Sequence, residues 1–126
     1  MNKIIEYDSP VANIYLDERN IFIFKLKESG AIYDVEEGVN QYEFLNYHSK
    51  GKPYKIVVDT RGSLIIPTSK ACEFYLDIDN SKNFVALIVN SLPMQLLLGQ
   101  MSKNKNIPIS KIFKNKVAAF EWIIEK

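Results

Sequence analysis

The chain has 126 residues, of which 47% are apolar and 25% are charged, which is typical of one globular domain spanning residues 1–126. This composition argues against a disordered chain or a coiled coil. Because 16 basic side chains nearly balance 15 acidic ones, the net charge of +1 gives no general attraction to nucleic acid or to a membrane surface.

The first part of the chain predicts antiparallel strands. Residues 3–7 predict a short first strand, and residues 13–17 and 21–27 predict two more. The segment between the last two is polar and turn-prone, so we expect those two strands to form a hairpin. Residues 21–24 are apolar on both faces, which is typical of a strand that is covered on both sides, or covered on one and used for contacts on the other.

A helix is predicted after the hairpin. Asp34, with Glu37 three residues later, fits a capping box at its start. Gly51 and Pro53 mark its end. Gly38 lies inside the helix, where a close packing contact would explain it. The predicted buried stripe consists of Val35, Val39, Tyr42 and Leu45.

Two buried strands are predicted next, each followed by a helix. Residues 56–58 and 84–89 are β-branched or apolar without interruption, as in central strands of a parallel sheet. Pro67 lies near the start of the first of these helices, and Asn90 with Ser91 precedes the second. The stripe of the first helix is predicted to be Ala71, Tyr75 and Ile78.

The end of the chain predicts an edge strand over residues 107–113 and a last helix over residues 115–125. The buried stripe of that helix is predicted to be Val117, Phe120 and Ile124, with Trp122 at its border. The fold class is therefore α/β: a mixed sheet with an N-terminal antiparallel hairpin, followed by helix, strand, helix, strand, helix, strand and helix.

The central segment resembles a known family. The order of elements and residues 56–69 are similar to the STAS domain, the fold of SpoIIAA-type anti-sigma-factor antagonists. Asp59 matches the Asp that ends a buried strand in those proteins, and Thr68 aligns with their phosphorylated serine. Pro67 and Lys70 replace the Asp and the Gly of the family's Asp-Ser-Ser-Gly motif. The resemblance implies a STAS-like architecture and raises Thr68 as a switch residue.

The last third resembles the broader SpoIIAA-like group of small bacterial proteins of unknown function. Residues 84–91 followed by an apolar helix are similar to a strand-to-helix segment of that group, and the chain ends in a similar pattern of Phe113, Ala119, Trp122 and Ile123. This resemblance implies a role other than catalysis.

Several polar side chains lie at predicted strand ends or helix starts. Open α/β sheets bind ligands beyond the carboxyl ends of their strands, so these residues form a candidate ligand or switch site. The alternative is structural, with Asp59 fixing the turn that follows, Arg61 pairing with a surface carboxylate and the others capping helices. The candidates are Asp59, Arg61, Thr68, Ser69, Asn90 and Ser91.

The helix predicted over residues 92–103 is apolar on more than one face, which indicates either deep burial or contact with a partner. Its candidate interface residues are Leu92, Met94, Leu97, Leu98 and Met101.

The sequence gives little support for a catalytic or metal-binding site. One His and one Cys cannot make a Cys/His metal site, and no glycine-rich phosphate-binding motif occurs, so we predict no catalytic residue, no metal and no cofactor. His48 suits a helix C-terminus, and Cys72 suits a buried, inert thiol. A single Cys and the lack of a signal-like or membrane-spanning apolar stretch predict a cytoplasmic protein without a membrane span.

Two functions remain open. The first is a non-enzymatic, STAS-like interaction or regulatory module that binds a protein partner or itself, as a homodimer, through the apolar helix. The second is a domain that binds a small ligand, a nucleotide or a lipid, in a crevice at the carboxyl ends of the central strands.

Overall fold

The computed structural model describes residues 5–78, 82–103 and 109–126. In chain order these residues form strands β1 (Glu6–Asp8), β2 (Ala12–Leu16) and β3 (Phe22–Leu26), helix α1 (Val35–Ser49), strand β4 (Lys55–Asp59), helix α2 (Ser69–Leu76), strand β5 (Phe84–Ile88), helix α3 (Leu92–Lys103), strand β6 (Lys111–Phe113) and helix α4 (Lys116–Ile124).

The six strands form one mixed sheet in the order β1-β2-β3-β4-β5-β6. The first three pair antiparallel, and the pairs β3–β4, β4–β5 and β5–β6 are parallel. Ile56 of β4 lies opposite Phe22 of β3 on one side and Val85 of β5 on the other. The predicted α/β class, with a mixed sheet, an antiparallel start and four helices, is confirmed.

Two predicted strands have different bounds. The first strand begins at Glu6 rather than at residue 3, and residues 3 and 4 lie outside the described part of the chain. The last strand is the three-residue β6 rather than residues 107–113, of which 107 and 108 are not described. Both are edge strands, which pair on one side only and carry a weaker apolar pattern than β4 or β5.

The sheet has a core on each face because side chains alternate along each strand. On one face, Phe22 and Ile56 pack with Leu45 of α1 and Ala71 of α2. Leu98 of α3 lies on this same face, against Leu87 of β5. On the other face, residues of β3, β4 and β5 pack under α4; they include Ile23, Val57, Ala86 and Ile88, in contact with Ala119 and Ile123.

Helix α1 is capped by Asp34, as predicted, but the capping box is wrong. The Asp34 carboxylate accepts a hydrogen bond from the backbone N–H of Val35 at 2.8 Å. The Glu37 carboxylate does not turn back to the helix start; it accepts from the Tyr7 hydroxyl at 2.9 Å and from the Gln41 amide at 2.7 Å. The helix ends where Lys50 adopts a left-handed conformation with φ of 58°.

The buried side of α1 differs from the predicted stripe. Gly38, Gln41 and Leu45 are buried, whereas Val35, Val39 and Tyr42 are only half-buried. A Cβ at Gly38 would lie 3.4 Å from Phe74 Cδ2 and from the Tyr75 hydroxyl, so Gly38 lets α2 approach closely. The helix therefore turns a glycine and a polar amide toward α2 and the sheet, which a search for apolar spacing cannot find.

The stripe predicted for α4 is wrong at Val117 and Ile124, while Phe120 is half-buried and packs against the core as predicted. Val117 and Ile124 are 67% and 48% exposed, while Ala119 and Ile123 are fully buried against the sheet. The helix is apolar on nearly every side, so spacing alone does not select the face. Trp122 packs at the border of this face, against Phe84 and Phe113, as predicted.

Candidate functional site

Asp59 and Arg61, two of the predicted site residues, lie at the carboxyl end of β4 and bind each other. The Asp59 carboxylate accepts from Arg61 Nε at 3.0 Å, from Arg61 Nη2 at 2.9 Å and from the Arg61 backbone N–H at 3.0 Å. Lys25 Nζ lies 3.8 Å from the same carboxylate and donates to the Arg61 carbonyl at 2.6 Å. These contacts fix the turn after β4.

The charge of Asp59 is compensated inside this cluster. Burial acts to raise the pKa of its carboxyl, but the hydrogen bonds from Arg61 and the charge of Lys25 outweigh burial and lower the pKa below its usual value. The hydrogen bonds and charge of Asp59 raise the pKa of Arg61 in turn. Asp59 therefore stays ionised, and its carboxylate is used to hold the turn after β4 together with Arg61.

Thr68 and Ser69 lie at the start of α2, on the opposite face of the sheet from Asp59. The Thr68 hydroxyl accepts from the Ala71 N–H at 3.2 Å and donates to the Asp34 carboxylate at 2.8 Å. This hydrogen bond from Thr68, followed by the one from the Val35 N–H, lowers the pKa of Asp34. Thr68 thus caps α2 and ties it to the start of α1, and Ser69 is exposed.

Asn90 and Ser91 are exposed residues that precede α3, and the Ser91 carbonyl accepts from the Gln95 N–H at 2.8 Å. Asp59 lies on the α4 side of the sheet and Thr68 on the other, so the predicted ligand-site residues form separate groups. The cause is the two-residue period of a strand: Val57 and Asp59 share one face, and Ile56, Val58 and Thr60 share the other.

The candidate interface on α3 divides in two. Met94 and Leu98 are buried against the sheet, whereas Leu92 and Leu97 are 66% and 39% exposed. Leu96, which the sequence analysis left out of the interface, is 65% exposed. The side chain of Met101 lies outside the described part of the structure.

A cavity of about 130 Å³ lies between the sheet and helices α1, α2 and α3. Its floor consists of side chains from β3, β4 and β5, and its roof includes tyrosine rings. Among the candidate residues whose side chains are described, only Leu98 lines it. The lining residues are mostly apolar and include Phe24, Ile56, Val58, Val85, Leu87 and Leu98, with Tyr33, Tyr42, Tyr54, Tyr75 and Gln41.

The polar part of the cavity wall is a set of three side chains, Tyr33, Gln41 and Tyr75, which we call the tyrosine–glutamine cluster. The Gln41 amide oxygen accepts from the Tyr33 hydroxyl at 2.7 Å and from the Tyr75 hydroxyl at 3.0 Å. The two hydroxyls also hydrogen-bond each other. The Gln41 amide nitrogen donates to Glu37, which fixes the direction of the oxygen.

Three tyrosines of the cavity, Tyr33, Tyr54 and Tyr75, are neutral at physiological pH. Burial raises the pKa of Tyr33 and Tyr75 well above the ordinary value, and nearby charge on Glu37 adds to this. Burial raises the pKa of Tyr54 to about 12. The cavity therefore offers hydroxyl groups and aromatic faces rather than charge.

Gln41 was missed by the sequence analysis because glutamine is ordinarily a surface residue of a helix. The available signal was the Gly38–Gln41–Leu45 spacing on one helix face. The four tyrosines of the cavity are spread over the chain, and nothing in their spacing brings them together.

Comparisons with protein-family models, with curated proteins and with solved structures find no match to this chain. Among the described residues, no helix is long and apolar enough to cross a membrane. Within the same part of the chain, no group of three or more His, Cys, Asp or Glu side chains is placed to hold a metal ion.

Proposed function

We propose that this protein is a binding module for a small apolar molecule, which occupies the cavity between the sheet and α1, α2 and α3. The observation that supports this proposal is the cavity itself, about 130 Å³ between the sheet and three helices. Protein interiors hold few voids larger than a water molecule. A bound apolar molecule would be stabilised by contact with the apolar side chains that line this space.

The size and the lining of the cavity favour a single ring. An apolar cavity of about 150 Å³ holds benzene, whereas sites for larger ligands measure about 300 Å³ or more. Phe24, Tyr33 and Tyr54 supply aromatic surface around the space, and β4 and β5 supply aliphatic side chains. A nucleotide or the acyl chain of a lipid, the ligands suggested by the sequence, would need more room.

Filling the cavity should abolish binding. Leu98 lines the cavity, and its neighbour Leu97 faces outward, so the two positions form a matched pair. We expect Leu98→Phe to weaken toluene binding at least tenfold, because the larger ring occupies the space, while Leu97→Phe binds toluene like the wild type. Chemical-shift titration of the backbone amides with toluene measures both.

If toluene shifts no amide resonance of the wild-type protein, or if Leu98→Phe binds it unchanged, the cavity is not a binding site. Where Leu98→Phe does not fold, Val85→Leu adds less volume at another position of the lining and provides the same comparison.

A second candidate function is the non-enzymatic interaction module, with a STAS-like architecture and α3 as the contact surface. The order of elements and the mixed sheet are compatible with that architecture. Leu92 and Leu96 support the proposal, because they lie four residues apart on the outer side of α3 and are exposed, and Leu97 is 39% exposed beside them. A second copy of this chain is the simplest partner for such a stripe.

Light scattering over a concentration series tests this second function. We expect a dimer for the wild type and a monomer for Leu92→Glu combined with Leu96→Glu, since charge on the stripe prevents its burial. Val117→Glu, at a 67% exposed apolar position on α4, is the control and should leave the dimer intact. A wild-type protein that remains monomeric throughout contradicts self-association through α3.

A further inference from the structure

We propose that the cavity selects a neutral, ring-sized molecule that carries an O–H or N–H donor, such as a phenol, and that this donor binds the hydroxyl oxygen of Tyr33. The inference rests on the proposed function, because it concerns which small apolar molecules the cavity prefers. It follows from which groups of the tyrosine–glutamine cluster donate hydrogen bonds and which can still accept one.

The hydroxyl of Tyr33 has one proton and two lone pairs. Its partners are the Gln41 amide oxygen, at 2.7 Å, and the Tyr75 hydroxyl. Tyr33 donates its proton to one of these two partners. The remaining partner then occupies at most one lone pair of the Tyr33 oxygen. Tyr33 therefore has no proton to give to a ligand, but it retains a lone pair that can accept a hydrogen bond from one.

Glu37 fixes this arrangement. Its carboxylate accepts from the Gln41 amide nitrogen at 2.7 Å and from the Tyr7 hydroxyl at 2.9 Å, so the amide oxygen points to the tyrosines. The two tyrosine hydroxyls together have two protons, which serve their contacts with each other and with the amide oxygen. The cluster is thus rich in acceptors, and the carboxylate beside it disfavours an anionic ligand.

A hydrogen-bond acceptor in an apolar cavity changes the order of affinity among ligands. In a purely apolar cavity, phenol buries its hydroxyl without a partner and binds roughly tenfold or more weakly than toluene. A hydrogen bond to Tyr33 removes that loss. We therefore expect phenol to bind the wild-type protein at least as tightly as toluene, although water solvates phenol better.

The experiment is a chemical-shift titration of the wild-type protein and of Tyr33→Phe with phenol and with toluene. The substitution keeps the ring and removes the acceptor. We expect phenol affinity, relative to toluene affinity, to fall about tenfold in Tyr33→Phe. Leu97→Phe, on the outer side of α3, is the control that should keep the wild-type ratio.

The outcomes separate this inference from the proposed function. If neither compound binds the wild type, the proposed function fails. If toluene binds tenfold or more tightly than phenol, the cavity binds apolar molecules and the inference of donor selection fails. If the two bind equally well in both proteins, the assignment to Tyr33 is wrong. The wild-type comparison is decisive by itself should Tyr33→Phe not fold.

Discussion

Replacing Gln41 by leucine should lower the free energy of unfolding by about 3 kcal/mol, even though leucine is apolar and favours a helix. Gln41 is 2% exposed, and its amide oxygen is the common acceptor for Tyr33 and Tyr75. Leucine offers no acceptor. Each buried group that loses its partner costs about 1–3 kcal/mol, and the Glu37 carboxylate loses a donor as well.

Urea unfolding followed by circular dichroism measures this loss. Asn40→Leu is the control, because Asn40 is the exposed neighbour of Gln41 on α1, and a change there should stay within about 0.5 kcal/mol. Equal losses for Gln41→Leu and Asn40→Leu would show that the amide is dispensable.

The sheet could be predicted because its central strands are uninterrupted runs of apolar residues. Residues 56–58 and 84–88 are apolar without a break, and in the structure they form β4 and β5, which pair parallel in the centre. The short edge strands β1 and β6 have no such pattern, and their bounds were wrong. Central strands of a parallel sheet are covered on both faces and are therefore apolar on both. An edge strand is less covered, so its residues need not be apolar.

The helix faces could be predicted only where one side is clearly apolar. In α4 nearly every position is apolar, and in α1 the buried face includes Gly38 and Gln41. What selects these faces is the neighbouring element: Tyr75 lies against Gly38, and Tyr33 supplies the donor for Gln41. Such pairs join residues far apart in the chain, so local spacing carries no trace of them.

Predicting the candidate site would have required knowing which face of the sheet each side chain points to. Asp59 ends β4 and Thr68 lies beyond the loop that follows, but the alternation of the strand and the path of that loop place them on opposite faces. The cavity depends on how α1, α2 and α3 lie over the sheet, and its lining residues come from separate parts of the chain. Neither property follows from residue types in one chain.

The buried tyrosines should make the fold sensitive to alkali. Tyr33, Tyr54 and Tyr75 have raised pKa values in the folded protein, chiefly through burial, while in the unfolded chain they ionise near pH 10. The folded state therefore holds protons that the unfolded state releases. Their contribution to stability is complete below pH 10 and is lost as pH rises toward about 12.

Three such groups reduce the free energy of unfolding by about 4 kcal/mol per pH unit above pH 10, against a typical total of about 5–15 kcal/mol. We expect tyrosinate absorbance and far-ultraviolet circular dichroism to change together in one steep transition between pH 10 and about 12. Tyr54→Phe removes one of the three groups and should move the midpoint to higher pH, whereas Tyr47→Phe, at a ring that is 77% exposed, should not. Complete ionisation of all tyrosines near pH 10 with the circular dichroism unchanged would mean that these hydroxyls are open to water, and their burial in the folded protein would then be wrong.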